Sequence, residues 1–151
     1  MALATIDELG LLGLEPDETE QLAYLNAVEA VMKSLVKEGN TIIVGRAGQV
    51  ILQNVPNVLH VRVIAPKKVR IQRIVKAHNI SIQAATAQIK DSDHFRADYL
   101  QSFYHIRWDD PSLYHLVINT GQMDLETSAE VVCSAVRKMP NHPPSQEVFH
   151  G

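Results

Sequence analysis

The sequence predicts an α/β fold with a small three-stranded parallel sheet flanked by helices. Three observations carry this. Three short apolar, β-branched runs, at 41–44, 58–65 and 116–119, are separated by longer helical stretches. The first of them, Thr41-Ile-Ile-Val44, shows no polar alternation, as expected of a strand buried on both faces. The resulting order of helix, strand, helix, strand, helix, helix, strand, helix calls for parallel strands joined by right-handed crossovers.

The elements follow in chain order. Thr5-x-x-Glu8 and Asp17-x-x-Glu20 both have the form of a capping box. The first opens a short helical extension within 1–16. The second opens a long helix over about 18–37, with Leu22, Leu25, Val28, Met32 and Leu35 at three- and four-residue spacing, widened by Val31 and Val36. Gly39-Asn40 stops it. A second helix is expected from Gly48 to about Gln53. Pro66 can start a third without sacrificing a hydrogen bond, and Asn79 with Ser81 separates it from a fourth over about 82–103 that has an optional break near 91–93. Asp109-Asp110-Pro111 reads as a turn, and Asp124 as the cap of a last helix ending near Lys138. Residues 1–139 thus read as one α/β domain. The tail at 140–151, with three prolines among its first five residues, reads as disordered or loosely docked.

Charge is unevenly spread. Residues 1–40 hold eight acids and two bases, whereas 41–90 hold eight bases and no acid. Two readings fit: a surface that meets phosphate or another anion, or a basic face that meets water or an acidic helix of this chain or a partner. Ligands of open α/β sheets bind at the carboxyl ends of strands, and there the chain places Gly45-Arg46-Ala47-Gly48, the basic helix with Lys67, Arg70, Arg73 and Lys76, and Asn119-Thr120-Gly121. The glycines at 45 and 48 allow a tight turn, and Arg46 offers a planar fork for phosphate; the alternative is a turn with a surface arginine. Asp93 and Arg96 lie one helical turn apart, either as a surface ion pair or as part of a mobile segment that brings Arg96 to a phosphate.

Several function classes are disfavoured. The seven histidines lack ligand spacing, which argues against a metal site. No G-x-S-x-G pattern appears. With 5% aromatics and no recognition motif, no nucleic-acid partner is expected. No run is long enough to span a membrane, and the start of the sequence lacks the basic region of a signal peptide. The single cysteine, Cys133, fits a reducing cytoplasm and reads as a small buried hydrophobe.

Taken together, Gly45-Arg46-x-Gly48, Pro56-Asn57-Val58-Leu59-His60-Val61, Ala65-Pro66, Arg70-x-x-Arg73, Ile80-Ser81, Asp93-x-x-Arg96 and Trp108-Asp-Asp-Pro-Ser-Leu-Tyr114-x-Leu116-Val-Ile-Asn-Thr120 resemble the cytidylate-kinase-like family of P-loop proteins. The resemblance covers about residues 20–137, and the segment from Trp108 is its most specific part. It implies a truncated P-loop-kinase-like domain whose three strands are the family's third, fourth and fifth. It would make Arg46 the acceptor-side arginine, Arg70 and Arg73 the basic helix, and Asp93 and Arg96 the lid, with His94 where relatives carry a base. The family's G-x-x-x-S/T-G-K loop has no counterpart: none of the seven glycines precedes a lysine. No catalytic residue is therefore assigned. The expectation is a chain that binds CMP, another nucleotide or phosphate without turnover. The alternatives are a structural or interaction protein, or the acceptor-side part of a CMP kinase that needs a separate P-loop part. Loss of a central strand also implies a re-paired sheet or a homo-oligomer, with a dimer favoured.

Overall fold

The structure, a computed structural model, describes residues 3–4 and 18–139. The chain divides into two compact units, 1–58 and 59–151.

In the first unit, strand β1 (Leu3–Ala4) pairs in parallel with β2 (Ile42–Ile43), Leu3 opposite Ile42. Helix α1 (Glu18–Glu38) precedes β2, and the short helix α2 (Gly48–Ile51) follows it. Val28 and Met32 of α1 are buried with Leu52, and Tyr24, Val36, Ile43, Ile51, Val55 and Val58 close around them. Tyr24, Val28, Met32 and Val36 recur every four residues, so one stripe of α1 makes this core. The stripe is narrower than the sequence predicts, for Leu22 and Val31 are exposed. Gly39 takes a positive φ, and its N–H meets the carbonyls of Leu35 and Val36, ending α1 as its sequence requires.

In the second unit, β3 (Val61–Ile64) and β4 (Leu116–Asn119) pair in parallel, with Val61 opposite Leu116 and Ile64 opposite Asn119. Between them run α3 (Lys67–His78), α4 (Ile82–Tyr104) and a 3-10 turn at Pro111–Leu113; α5 (Leu125–Lys138) follows. Ala85, Ile89, Leu100 and Ile118 are buried here. The caps fall where the sequence places them. Pro66 precedes α3, and Asn79 ends it in the left-handed conformation. Ser81 Oγ accepts the Ala84 N–H, and Asp124 accepts that of Thr127. Helix α4 runs unbroken through Asp91–Asp93.

The α/β class with parallel strands holds, but the pairing is not that of one three-stranded sheet. Among the described residues, four strands pair two by two: β2 with β1, and β3 with β4. The additional strand is only two residues long, too short to carry a periodic signal. The helical extension expected from Thr5, the Asp17 cap and the tail from Pro140 lie outside the described residues. Cys133 is exposed, not buried. Ser128, Val132 and Ala135 form the inward face of α5, and Cys133 falls between the turns of that stripe. Among the described residues, no helix is long and apolar enough to cross a membrane.

Candidate functional site

The carboxyl ends of β3 and β4 are tied together by short contacts. The Ile64 carbonyl accepts the Thr120 N–H at 2.8 Å and the Thr120 hydroxyl at 3.2 Å. Arg73 of α3 reaches across and donates to Thr120 Oγ1 at 2.8 Å and to its carbonyl at 2.7 Å. Arg73 therefore clamps the exit of β4 to α3. Gly121 comes next and lies against Pro66, the residue that starts α3.

One helical turn before Arg73, Arg70 grips Asp93 of α4 with two parallel bonds, each 2.7 Å. This fork-on-carboxylate geometry is the strong form of the ion pair. Arg96, a turn along α4, approaches Asp93 Oδ1 at 3.4 Å. The Arg70 guanidinium holds the Asp93 carboxyl below its usual range against an opposing push from burial, and Arg96 and Lys67 add to the pull. Asp93 in turn raises Arg70. Two guanidinium groups thus meet one carboxylate. The Arg70 and Asp93 side chains keep 32% and 30% of their exposure, so the pair is partly solvated and its stabilising effect is on the order of 1 kcal/mol.

Its pH dependence has a definite sign. Because the folded-state pKa of Asp93 is depressed, the contribution is full above the unfolded carboxylate value of about 4 and is lost as pH falls through the folded value. The melting-temperature gap between the chain and its Asp93→Asn variant should be constant from pH 7 to 5 and close below pH 4. A gap that persists unchanged at pH 3 would contradict the pairing.

A second cluster adjoins the first. Arg62 of β3 lies 4.7 Å from the Trp108 ring centroid, and Arg96 lies 5.1 Å from the same centroid. Arg62 also donates to the Asp109 carbonyl at 2.6 Å, and the Tyr114 hydroxyl donates to the Trp108 carbonyl at 2.9 Å. Burial raises the Tyr114 pKa, with Arg62 and Arg96 opposing. Beside Trp108 opens a groove of about 320 Å³ lined also by Asp98, Gln101 and Arg107. A larger groove of about 580 Å³ follows α5 from Glu126 to Arg137. It is one face of a single helix and gathers no converging groups.

The structure thus brings Arg70, Asp93 and Arg96 together, and it places Arg73 on Thr120. Gly45, Arg46 and Gly48 belong to the first unit, at the exit of β2. There Gly45, Arg46 and Ala47 have φ values of 78°, 52° and 60°, three left-handed residues in succession. Helix α2 has only four residues, so its start contributes little dipole to an anion. Sequence reasoning placed Thr120 at a strand end where ligands bind but did not assign Arg62, Trp108 or Tyr114 to the site. For Trp108 and Tyr114 the signal available was the density of polar and aromatic residues from Trp108 to Thr120. No group of three or more potential metal ligands occurs among the described residues.

The chain is 28% identical to the cytidylate kinase of Methanothrix thermoacetophila over 89% of its own length and 74% of that enzyme. It is 33% identical to the cytidylate kinase of Methanocaldococcus jannaschii over 68% of its length, but spans only 58% of that protein. A uronate isomerase of Corynebacterium glutamicum matches at 32% identity over 67% of the chain and only 20% of the isomerase. The fold is shared with a crystal structure of an uncharacterized protein from Eubacterium ventriosum, at a TM-score of 0.66 and 21% identity, over 75% of this chain and 62% of that one. The profile of the cytidylate kinase-like family matches residues 2–122, and the chain belongs to that family.

Proposed function

We propose that this chain is a nucleotide- or phosphate-binding protein of the cytidylate-kinase-like family that does not transfer phosphate by itself. The observation that carries the reading is the convergence of Arg70 and Arg96 on the single carboxylate of Asp93, a charge excess that an incoming phosphate would balance. The groove beside Trp108 is at the small end of ligand cavities, which run from about 300 Å³, and Trp108, which lines it, is the link to Arg96 on the site side. In this reading Arg70 faces the phosphate from its place on Asp93, Arg96 supplies a second guanidinium, and Arg73 clamps β4 to α3 beside them. By kinship, Gly45, Arg46 and Gly48 are proposed separately as an acceptor-side turn of the first unit. CMP is the ligand of choice by kinship with the cytidylate kinases. The proposed lack of turnover is supported by the sequence given, in which no glycine precedes a lysine, so these residues do not themselves supply the backbone cradle and lysine that position a transferring phosphoryl group. The single cysteine accords with a cytoplasmic protein.

A thermal-shift series with CMP, dCMP, UMP, ATP and inorganic phosphate tests this. CMP is expected to raise the melting temperature by a few degrees, as about 1–2 kcal/mol of linkage would in a domain of this size. Arg70→Ala should shrink both the CMP shift and that of inorganic phosphate. No response to any anion would sink the reading, and robust phosphotransfer by the purified chain would refute its second half.

The exposed apolar side chains, Leu22 and Val31 on α1 among them, favour a second reading, a homodimer acting as an interaction protein. Light scattering that returns a monomer at micromolar concentration would dismiss it. The acceptor-side part of a kinase completed by a separate P-loop chain is a third reading, and it predicts activity only on mixing.

A further inference from the structure

We propose that Trp108 is a latch which holds Arg96 back from the anion site until a ligand arrives. The proposal rests on the binding reading above and adds how that site is regulated.

Two guanidinium groups share one indole, and they are held very differently. Arg62 is carried on β3, lies 4.7 Å from the ring centroid and is pinned by its 2.6 Å bond to the Asp109 carbonyl. Its position does not depend on the indole alone. Arg96 has no comparable anchor. Its side chain is 47% exposed, its contact with Asp93 is long at 3.4 Å, and the indole lies 5.1 Å away. Arg70 already occupies both oxygens of Asp93 at 2.7 Å, so Arg96 is the weaker competitor for that carboxylate. It rests between a carboxylate that is taken and a ring that holds it loosely.

A phosphate beside Arg70 changes this balance. A doubly charged oxyanion offers Arg96 short, charge-assisted bonds, stronger than a partly exposed cation–π contact and a marginal ion pair combined. Arg96 then leaves the indole, while Arg62 keeps Trp108 in place. The segment from Arg107 to Tyr114, held by the Tyr114 hydroxyl on the Trp108 carbonyl, does not have to move. The free chain therefore pays a small conformational penalty on binding, equal to the Arg96–indole contact.

Two consequences can be measured. Trp108 is the sole tryptophan, so departure of Arg96 changes the only indole emission. Removing the ring removes the penalty, so Trp108→Leu should bind about two- to five-fold more tightly, or about 0.5–1 kcal/mol at 1.4 kcal/mol per tenfold. Trp108→Phe, with a weaker ring and a conserved shape, should fall between that variant and the natural chain.

The test titrates the full chain with inorganic phosphate and with CMP, following heat by calorimetry and Trp108 emission in parallel. With inorganic phosphate, which leaves the groove beside Trp108 empty, the latch predicts saturable heat with a matching emission change, and no emission change in Arg96→Gln. Heat without an emission change overturns the latch and leaves the binding site standing. So does weaker binding by both Trp108→Phe and Trp108→Leu with helical circular dichroism intact. Absence of heat with both ligands refutes the site itself, and the latch with it.

Discussion

Replacing Gly121 with alanine is expected to destabilise the second unit by about 3 kcal/mol, the upper end of the cost of overpacking. The added Cβ would sit 2.3 Å from Pro66 Cδ, 3.1 Å from its Cγ and 3.2 Å from Asn119 Oδ1. None of these can step aside freely. The Pro66 ring is fused to the backbone that starts α3, and Asn119 Oδ1 already accepts the Gly121 N–H at 3.0 Å. The turn also cannot swing outward, since Thr120, one residue earlier, is bound by Ile64 and Arg73. Relief must therefore come from moving α3 or breaking the Thr120 contacts. Urea unfolding followed by circular dichroism measures the loss, and Pro66→Ala in the same chain should recover part of it by removing the two ring carbons. A Gly121→Ala midpoint equal to that of the natural chain would show that the two strand exits are not in contact.

The second large effect concerns binding. Arg70→Ala is expected to weaken phosphate and CMP binding by about tenfold to a hundredfold. That range corresponds to one hydrogen bond to a charged group, about 1.5–3 kcal/mol at 1.4 kcal/mol per tenfold. The loss has two parts. The guanidinium no longer reaches the ligand, and Asp93, released from its 2.7 Å fork, becomes free to draw in Arg96 and Lys67. The carboxylate then competes with the ligand for the remaining cations. Stability should change little, because the pair is partly solvated. Arg70→Ala and Gly121→Ala thus separate cleanly, one affecting the isotherm and the other the unfolding curve. Calorimetry that returns the same CMP affinity for Arg70→Ala as for the natural chain would remove Arg70 from the site.

What could be read from the sequence was local. Pro66, Asn79, Ser81 and Asp124 each act on backbone groups within four residues, so the bounds of α3, α4 and α5 follow from them directly. Asp93 and Arg96 are likewise neighbours on one helix. The parts that stayed hidden depend on what lies across the fold. Nothing in the sequence says that Arg70 spans 23 residues to Asp93, or that Arg73 spans 47 to Thr120. The basic stripe on α3 was visible, but its division into one arginine on a carboxylate and one on a strand exit was not. Strand β1 failed for another reason. Two residues carry no period, and its existence depends on the pairing partner it finds in β2. Cys133 was misjudged because α5 is apolar on more of its surface than it buries, and composition does not reveal which face turns inward.

The turn after β2 has a consequence for how variants of this protein can be made. Gly45, Arg46 and Ala47 are left-handed in succession, and Ala47 is also buried. A β-branched residue at any of the three would meet the steric barrier that left-handed backbone sets for side chains with a crowded Cβ. Libraries that vary this loop freely will therefore recover mainly glycine, asparagine and aspartate there, the residues that tolerate such backbone. At position 46, asparagine would meet less backbone strain than valine or isoleucine. The bend thus acts as a filter on the side chains that the exit of β2 can present, independent of any ligand.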